Sequence, residues 1–116
     1  MQFLLLIYDN EKRWTSQGKP DYGSELAEYR AFGKEFAKSI LGGHALQPTT
    51  TARTVRVRNG APLTTDGPFA ETKEQLAGYY LVETSTADEA VAIATRIPAA
   101  RHGSMEVGPI VIFSRP

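Results

Sequence analysis

Residues Gln2 to Tyr8 read Gln-Phe-Leu-Leu-Leu-Ile-Tyr, an almost unbroken apolar run without polar alternation. A strand covered on one face alternates apolar with polar, so this run needs cover on both faces and belongs near the middle of a sheet. Asp9-Asn10 ends it. The rest of a 116-residue chain must then supply two covering layers. Divided into two domains, each half would sit near the lower limit of a self-sufficient core, so residues 1–116 read as a single domain. At 41% hydrophobic and 22% charged residues, the composition suits a globular domain.

Trp14 to Gly23 is polar and contains Gly18, Pro20 and Gly23, which predicts a surface loop. A helix is expected from Ser24, its N-cap, to about Leu41. Leu26, Tyr29, Phe32, Phe36 and Ile40 recur every three or four residues as one apolar stripe, and Gly42-Gly43 would close the helix. His44 to Gln47 is a short extended stretch stopped by Pro48. Thr54 to Arg58 alternates Val55 and Val57 with arginines. Asn59-Gly60 is a strong type I′ hairpin signal, and Ala61 to Thr65 is the return strand.

Asp66-Gly67-Pro68-Phe69 interrupts that strand, and the charged stretch Ala70 to Gln75 is expected to form a short helical turn. Gly78 to Glu83 reads as a strand. Thr86 with Glu89 forms a capping box for a second helix, Ala87 to Ile97, which Pro98 ends. Met105 to Phe113 is the last strand, with Pro109 at a bulge or an edge. This order predicts an α+β fold, a ferredoxin-like split β-α-β subunit with an inserted β-hairpin. Two short helices cover one face of such a sheet. The other face carries Leu4, Leu6, Tyr79 and Leu81, or their alternating neighbours, and a second copy of the chain would cover it. A homodimer is expected.

The 13 basic and 13 acidic residues cancel, which argues against nucleic acid as a partner. The apolar run is too short to cross a bilayer, so no membrane is expected. The chain has no cysteine, which excludes disulfides and thiolate chemistry and fits a cytoplasmic protein. Neither the two histidines nor any glycine-rich loop has a metal- or nucleotide-binding spacing. No cofactor and no metal are expected.

The run Asp66-Gly67-Pro68-Phe69-Ala70-Glu71-Thr72-Lys73-Glu74-Gln75-Leu76-Ala77-Gly78-Tyr79-Tyr80-Leu81 closely resembles the signature of the DGPF family of the YCII-related superfamily. Phe3 to Tyr8, Ala45 to Pro48 and Pro98 to Gly103 resemble the family's first strand, the segment after its first helix and the loop before its last strand. The resemblance spans the chain and implies a dimeric α+β barrel. It implies no established reaction. A few superfamily relatives act on chlorinated or hydroxylated aromatic rings, with a His and Asp pair proposed as the chemical centre, and many members lie beside sigma-factor genes. Two positions depart from the pattern. His44 stands where Glu is frequent, and Gly108 stands where Arg is expected, which removes a natural partner for an anionic substrate.

Histidine alone titrates near neutral pH without help, so His44 and His102 are the candidate proton-moving groups. Asp66 would orient or activate one of them, although an Asp-Gly-Pro turn also explains it. Glu71 and Lys73 belong to a charged segment that would close over a pocket, with Lys73 holding an anion, or would form a solvated turn. Tyr8 and Tyr79 would line the cleft. Glu106, on the last strand, needs a partner such as Arg101 or Arg56. Two functions fit: a cofactor-independent lyase or isomerase acting on a small aromatic or anionic substrate, or a non-catalytic module binding a small ligand or a protein. A histidine bonded to Asp66 in a pocket would favour the first. Solvated histidines without a pocket would favour the second.

Overall fold

A computed structural model describes residues 1–113. The elements are β1 (Gln2–Asp9), α1 (Glu11–Trp14), β2 (Thr15–Ser16), β3 (Lys19–Pro20), α2 (Glu25–Glu35), β4 (Ile40–Ala45), β5 (Arg53–Arg58), β6 (Ala61–Asp66), β7 (Gln75–Glu83), α3 (Ala87–Thr95) and β8 (Ser104–Pro109). Four strands form one sheet in the order β4-β7-β1-β8, with every neighbouring pair antiparallel. This is the ferredoxin-like order, with β1 in the interior as its composition requires. Strands β5 and β6 form a separate hairpin that joins no other strand.

Alternation along β1 decides where the core lies. Phe3, Leu5 and Ile7 are buried together with Val82, Phe32, Ala90, Ile93, Ala94 and Ile97, so they face the helices. Leu4, Leu6 and Tyr8 are half-buried and face the other way, beside their cross-strand partners Leu81, Tyr79 and Leu76. The chain is a slab 19 Å thick, one sheet backed by one layer of helices, and its second face is open.

Several boundaries differ from the sequence reading. Helix α2 stops at Glu35, and Ile40 to Ala45, including Gly42-Gly43, is an edge strand. Gly43 serves close approach instead of helix closure. A Cβ on Gly43 would lie 2.7 Å from the Tyr79 carbonyl oxygen, and one on Gly78 would lie 2.7 Å from the His44 oxygen. Ser24 has helical backbone angles and makes no side-chain cap, and Leu26, the first residue of the expected stripe, is exposed. Trp14 to Gly23 is more than a loop, since α1 ends on a buried Trp14 and β2 pairs with β3. Ala70 to Gln75 forms no helical turn; Gln75 already belongs to β7. Helix α3 ends at Thr95, two residues before the expected Ile97. Strand β8 stops at Pro109, which an edge strand tolerates because its missing N–H faces away from β1, and the Ile110 N–H still donates to the Gln2 oxygen at 2.9 Å.

Other local signals hold. Asn59 and Gly60 have φ of 51° and 76°, as a type I′ turn requires. The Thr86 hydroxyl accepts the Glu89 N–H at 3.2 Å, and the Glu89 carboxylate reaches back to the Ser85 N–H at 3.0 Å. Gly103 allows the Pro98–Arg101 turn to press on the end of β1. A Cβ there would meet the Tyr8 carbonyl oxygen at 2.0 Å, whereas one on Gly108 would meet nothing nearer than 4.0 Å. Gly103→Ala should therefore lower stability by about 1–3 kcal/mol or more through backbone displacement. Gly108→Ala should leave stability unchanged or raise it by about 0.5–1 kcal/mol. Urea unfolding midpoints of the two variants check the contrast.

Candidate functional site

The alternation that buries Phe3, Leu5 and Ile7 also buries Asp9, the last residue of β1, which is 1% exposed. A carboxylate at a core position needs charged or hydrogen-bonding partners. The next few residues supply them. The Asn10 side chain caps α1 by accepting the Lys12 N–H at 3.0 Å, and this single turn brings Arg13 back over Asp9. Arg13 Nε donates to both Asp9 oxygens, at 3.2 and 3.0 Å, and Arg13 Nη2 donates to Oδ2 as well. The Asn10 N–H donates to Oδ1 at 2.8 Å. The other edge of the guanidinium grips Glu25 at the start of α2, with Nη1 to Oε1 at 2.6 Å and Nη2 to Oε2 at 3.1 Å. Arg13 thus joins two carboxylates across three elements, and its hydrogen bonds to Asp9 and then Glu25 raise its pKa further above the ordinary arginine value.

Beside this clamp lies a pocket of about 170 Å³ between sheet and helices. Its walls are Ile7, Leu26, Tyr29, Ala45, Ala77, Tyr80 and Ala99, and Asp9, Arg13, Trp14, Tyr22 and Glu25 form its polar end. Trp14 is 3% exposed and stacks on Tyr22 with ring centroids 5.8 Å apart. Its indole nitrogen is the one buried side-chain polar atom without a hydrogen-bond partner among the described residues. Burial pushes the Tyr29, Tyr80 and Tyr22 hydroxyls above the ordinary phenol value, so all three are neutral donors at pH 7. The site offers apolar walls, N–H and O–H donors, and two acceptor carboxylates. Among the described residues no three His, Asp or Glu side chains cluster in a way that could hold a metal.

A second, larger hollow of about 1060 Å³ opens on the helix-free side. Tyr8, Leu76 and Ser104 floor it, and Leu46 to Thr54 and Pro68 to Gln75 wall it. Of the residues singled out in the sequence, Tyr8 and Lys73 line this groove. His44 and Tyr79 face each other on β4 and β7, with His44 Nδ1 2.8 Å from the Tyr79 hydroxyl. Leu6 and Glu106 continue the same cross-strand row. The Tyr8 hydroxyl donates to Glu106 at 3.5 Å, and burial followed by the Glu106 charge raises the Tyr8 pKa. Glu106 therefore has Tyr8 as its partner in place of an arginine, since Arg101 is held by Glu28 at 2.6 and 3.0 Å.

Asp66 lies apart, at the exposed end of β6, with Arg53 Nε 3.9 Å away. No hydrogen bond among the described residues joins it to either histidine. Glu71 is exposed. His102 lies on the helix side, its Nε2 3.8 Å from Glu25 Oε1, so it borders the Asp9 pocket and not the groove. Gly108 sits on the open face opposite Leu4, and its departure from the expected Arg leaves the pocket beside Asp9 unaltered.

The YCII-related domain matches residues 1–114. A relative from Rhizobium meliloti (strain 1021), "Uncharacterized protein R00369", is 35% identical over 117 residues, covering 97% of this chain and 94% of the relative. The chain belongs to the YCII-related family. In this YCII-related protein the pocket's polar end was hidden from sequence reasoning. Asp9 falls at a strand end, Arg13 in the unassigned residues after it, Trp14 at the start of a stretch read as loop, and Glu25 at a helix start. The usable signals were the odd-number register of Asp9 with Phe3, Leu5 and Ile7, and the i,i+4 spacing of Asp9 and Arg13.

Removing Arg13 would leave a buried carboxylate without its countercharge. Arg13→Ala should destabilise this YCII-related protein by about 3–5 kcal/mol. Arg96→Ala, which breaks the exposed pair with Glu35, should cost under about 1 kcal/mol. Thermal unfolding of both variants tests the difference.

Proposed function

We propose that this YCII-related protein, a DGPF-branch member working in the cytoplasm, binds a small hydroxylated aromatic molecule beside Asp9 and acts on it as a lyase or isomerase. The observation that carries this reading is the unpartnered indole N–H of a buried Trp14 at the polar end of a ring-sized apolar pocket. A cavity of about 150 Å³ accepts benzene in another protein, so 170 Å³ suits one six-membered ring. A ring hydroxyl can accept from the Trp14 N–H and donate to a carboxylate, which satisfies both.

Of the two carboxylates, Asp9 is enclosed by Arg13 and the Asn10 amide and acts as the positioning group. Glu25 is the proton acceptor. Its oxygens retain lone pairs beyond those bound to Arg13, and His102, at 3.8 Å and partly exposed, relays the proton to solvent. The hydroxyl O–H bond breaks, Glu25 gains the proton and the electron pair stays on the oxygen as the phenolate; an isomerase step returns a proton to a ring carbon, and a lyase step uses the pair to expel a ring substituent that leaves with its own bonding electrons. Neither Asp66 nor His44 takes part in this scheme. The Arg13 grip on both carboxylates equally favours the non-catalytic reading, a small-ligand module; Glu25→Gln separates the two, because it removes turnover in an enzyme and leaves a module's affinity intact.

Trp14 is the chain's single tryptophan, so its emission reports the pocket directly. Titration with phenol should give a saturable change, and phenol should bind about tenfold more tightly than toluene, the worth of one good hydrogen bond. A linear, non-saturating response, or equal affinities, would overturn the reading.

We also infer a homodimer joined through the open sheet face. The chain exposes 8253 Å², whereas a compact monomer of 12.7 kDa exposes about 6,200 Å². The excess, about 2,000 Å², is more than the roughly 800 Å² that a standard interface removes from each chain and falls in the range of obligate homodimers. Light scattering at micromolar concentration should return twice the chain mass; a single-chain mass would refute the dimer.

A further inference from the structure

The β5–β6 hairpin is the part of the molecule that its own chain leaves unsupported. A two-stranded hairpin alone in water is marginally stable at best, yet this one pairs with no other strand, and every residue of β6 is exposed. Its cross-strand register places Val55 and Val57 on one face with Pro62 and Thr64. Val55 and Val57 are 64% and 60% exposed. A face of this kind on an isolated ribbon calls for a partner.

The groove on the helix-free side calls for an occupant of matching size. At about 1060 Å³ it exceeds the range of about 300–1,000 Å³ in which small-molecule sites fall, and it is open to solvent. Phe69, 81% exposed, stands on its rim, and Leu46, Pro68 and Leu76 line it. The hairpin's own base, Arg53 and Thr54, lies at one wall, and none of residues 55–65 lines the groove, so the ribbon does not fill it.

The surface that the chain exposes beyond a compact monomer of its mass, about 2,000 Å², is enough for such an occupant to be a second copy, since obligate dimers remove about 1,000 Å² or more from each chain.

We propose that the β5–β6 hairpin is an arm that docks in the groove of a second copy of this chain. The exchange is reciprocal, as a two-fold axis requires, so each groove is walled by residues of both chains. This inference rests on the homodimer reading and adds the arm and its seat. The arm's Val55–Val57–Pro62 face covers Phe69 and Leu46 of the other copy.

The absence of native cysteine allows a clean test. Val57→Cys and Phe69→Cys, made in separate and isotopically distinguished chains, are mixed and oxidised. They should form an inter-chain disulfide at least tenfold faster than the control pair Val57→Cys and Val91→Cys, since Val91 is exposed on α3 at the helix side. In parallel, residues 53–66 are replaced by Asn-Gly. The Gly67 N–H donates to the Ala52 oxygen at 2.7 Å, so the cut ends adjoin and the sheet is not stretched. This variant should dimerise at least tenfold more weakly than the full chain in sedimentation equilibrium. A full chain that sediments as a monomer would overturn the homodimer and the arm together. A full chain that dimerises, with a disulfide no faster than the control or an armless dimer as tight as the original, would overturn the arm alone.

Discussion

The last residue of the central strand is a carboxylate in a position that geometry reserves for an apolar side chain. Asp9 follows Phe3, Leu5 and Ile7 on the helix face and is as deeply buried as they are. A lone charge there would cost several kcal/mol, so the chain around it is organised to meet that charge. The α1 turn exists to return Arg13, and α2 starts where Glu25 can take the far edge of the guanidinium. Gly103 lets the Pro98–Arg101 turn sit against the same strand end. The pocket is the space that this arrangement holds open between sheet and helix. Its floor is apolar because it is the core, and its one polar end is the clamp.

The fold was legible because its signals are local or periodic. The uninterrupted apolar run placed β1 in the sheet interior, Asn59-Gly60 placed the turn between β5 and β6, and Thr86 with Glu89 placed the start of α3. The errors occurred where tertiary contact overrides a local signal. Gly42-Gly43 reads as a helix stop, yet Gly43 is needed because β4 there approaches β7 too closely for a Cβ. The region after Asp66 is charged like a helix, yet its residues are drawn out to lead into β7. The pocket beside Asp9 was not legible, since its residues combine a strand end, a one-turn helix and a helix N-terminus. Their common location is a product of the fold. Resemblance to the family drew attention to Asp66 and its neighbours, whose density of unusual residues reflects a turn of positive φ at Gly67 and a groove wall.

The same slab shape sets the terms for both sites. One layer of helices buries one face of the sheet, so polar chemistry on that face is confined to strand ends, where Asp9 sits. The open face can carry polar side chains along its whole width, and it does: His44, Tyr79 and Glu106 share a cross-strand row with a single leucine between. In a lone chain these groups are solvated and their hydrogen bonds worth little. Enclosed between two sheets, the same groups lose water, and each bond strengthens as the local dielectric falls. His44, which the sequence offered equally with His102 for moving a proton, lies on this open face, whereas the residues lining the pocket beside Asp9 come from one chain.

Charge inside that pocket narrows what it can hold. Asp9 and Glu25 with one Arg13 leave the polar end negative overall, and Arg101, 3.9 Å from Glu25, is held by Glu28. A carboxylate or phosphate ligand would enter against that charge without a cation to receive it. Lys73, the cation that the sequence offered to an anion, lies in the groove on the other side of the sheet. A neutral ring with a hydroxyl has no such conflict, because its oxygen meets the Trp14 N–H while its proton meets a carboxylate. In the proposed reaction Glu25 loses its charge as the ring oxygen gains one, so the pocket's net charge does not change, and the Trp14 N–H and the buried tyrosine hydroxyls are the donors that would meet that oxygen as its charge grows.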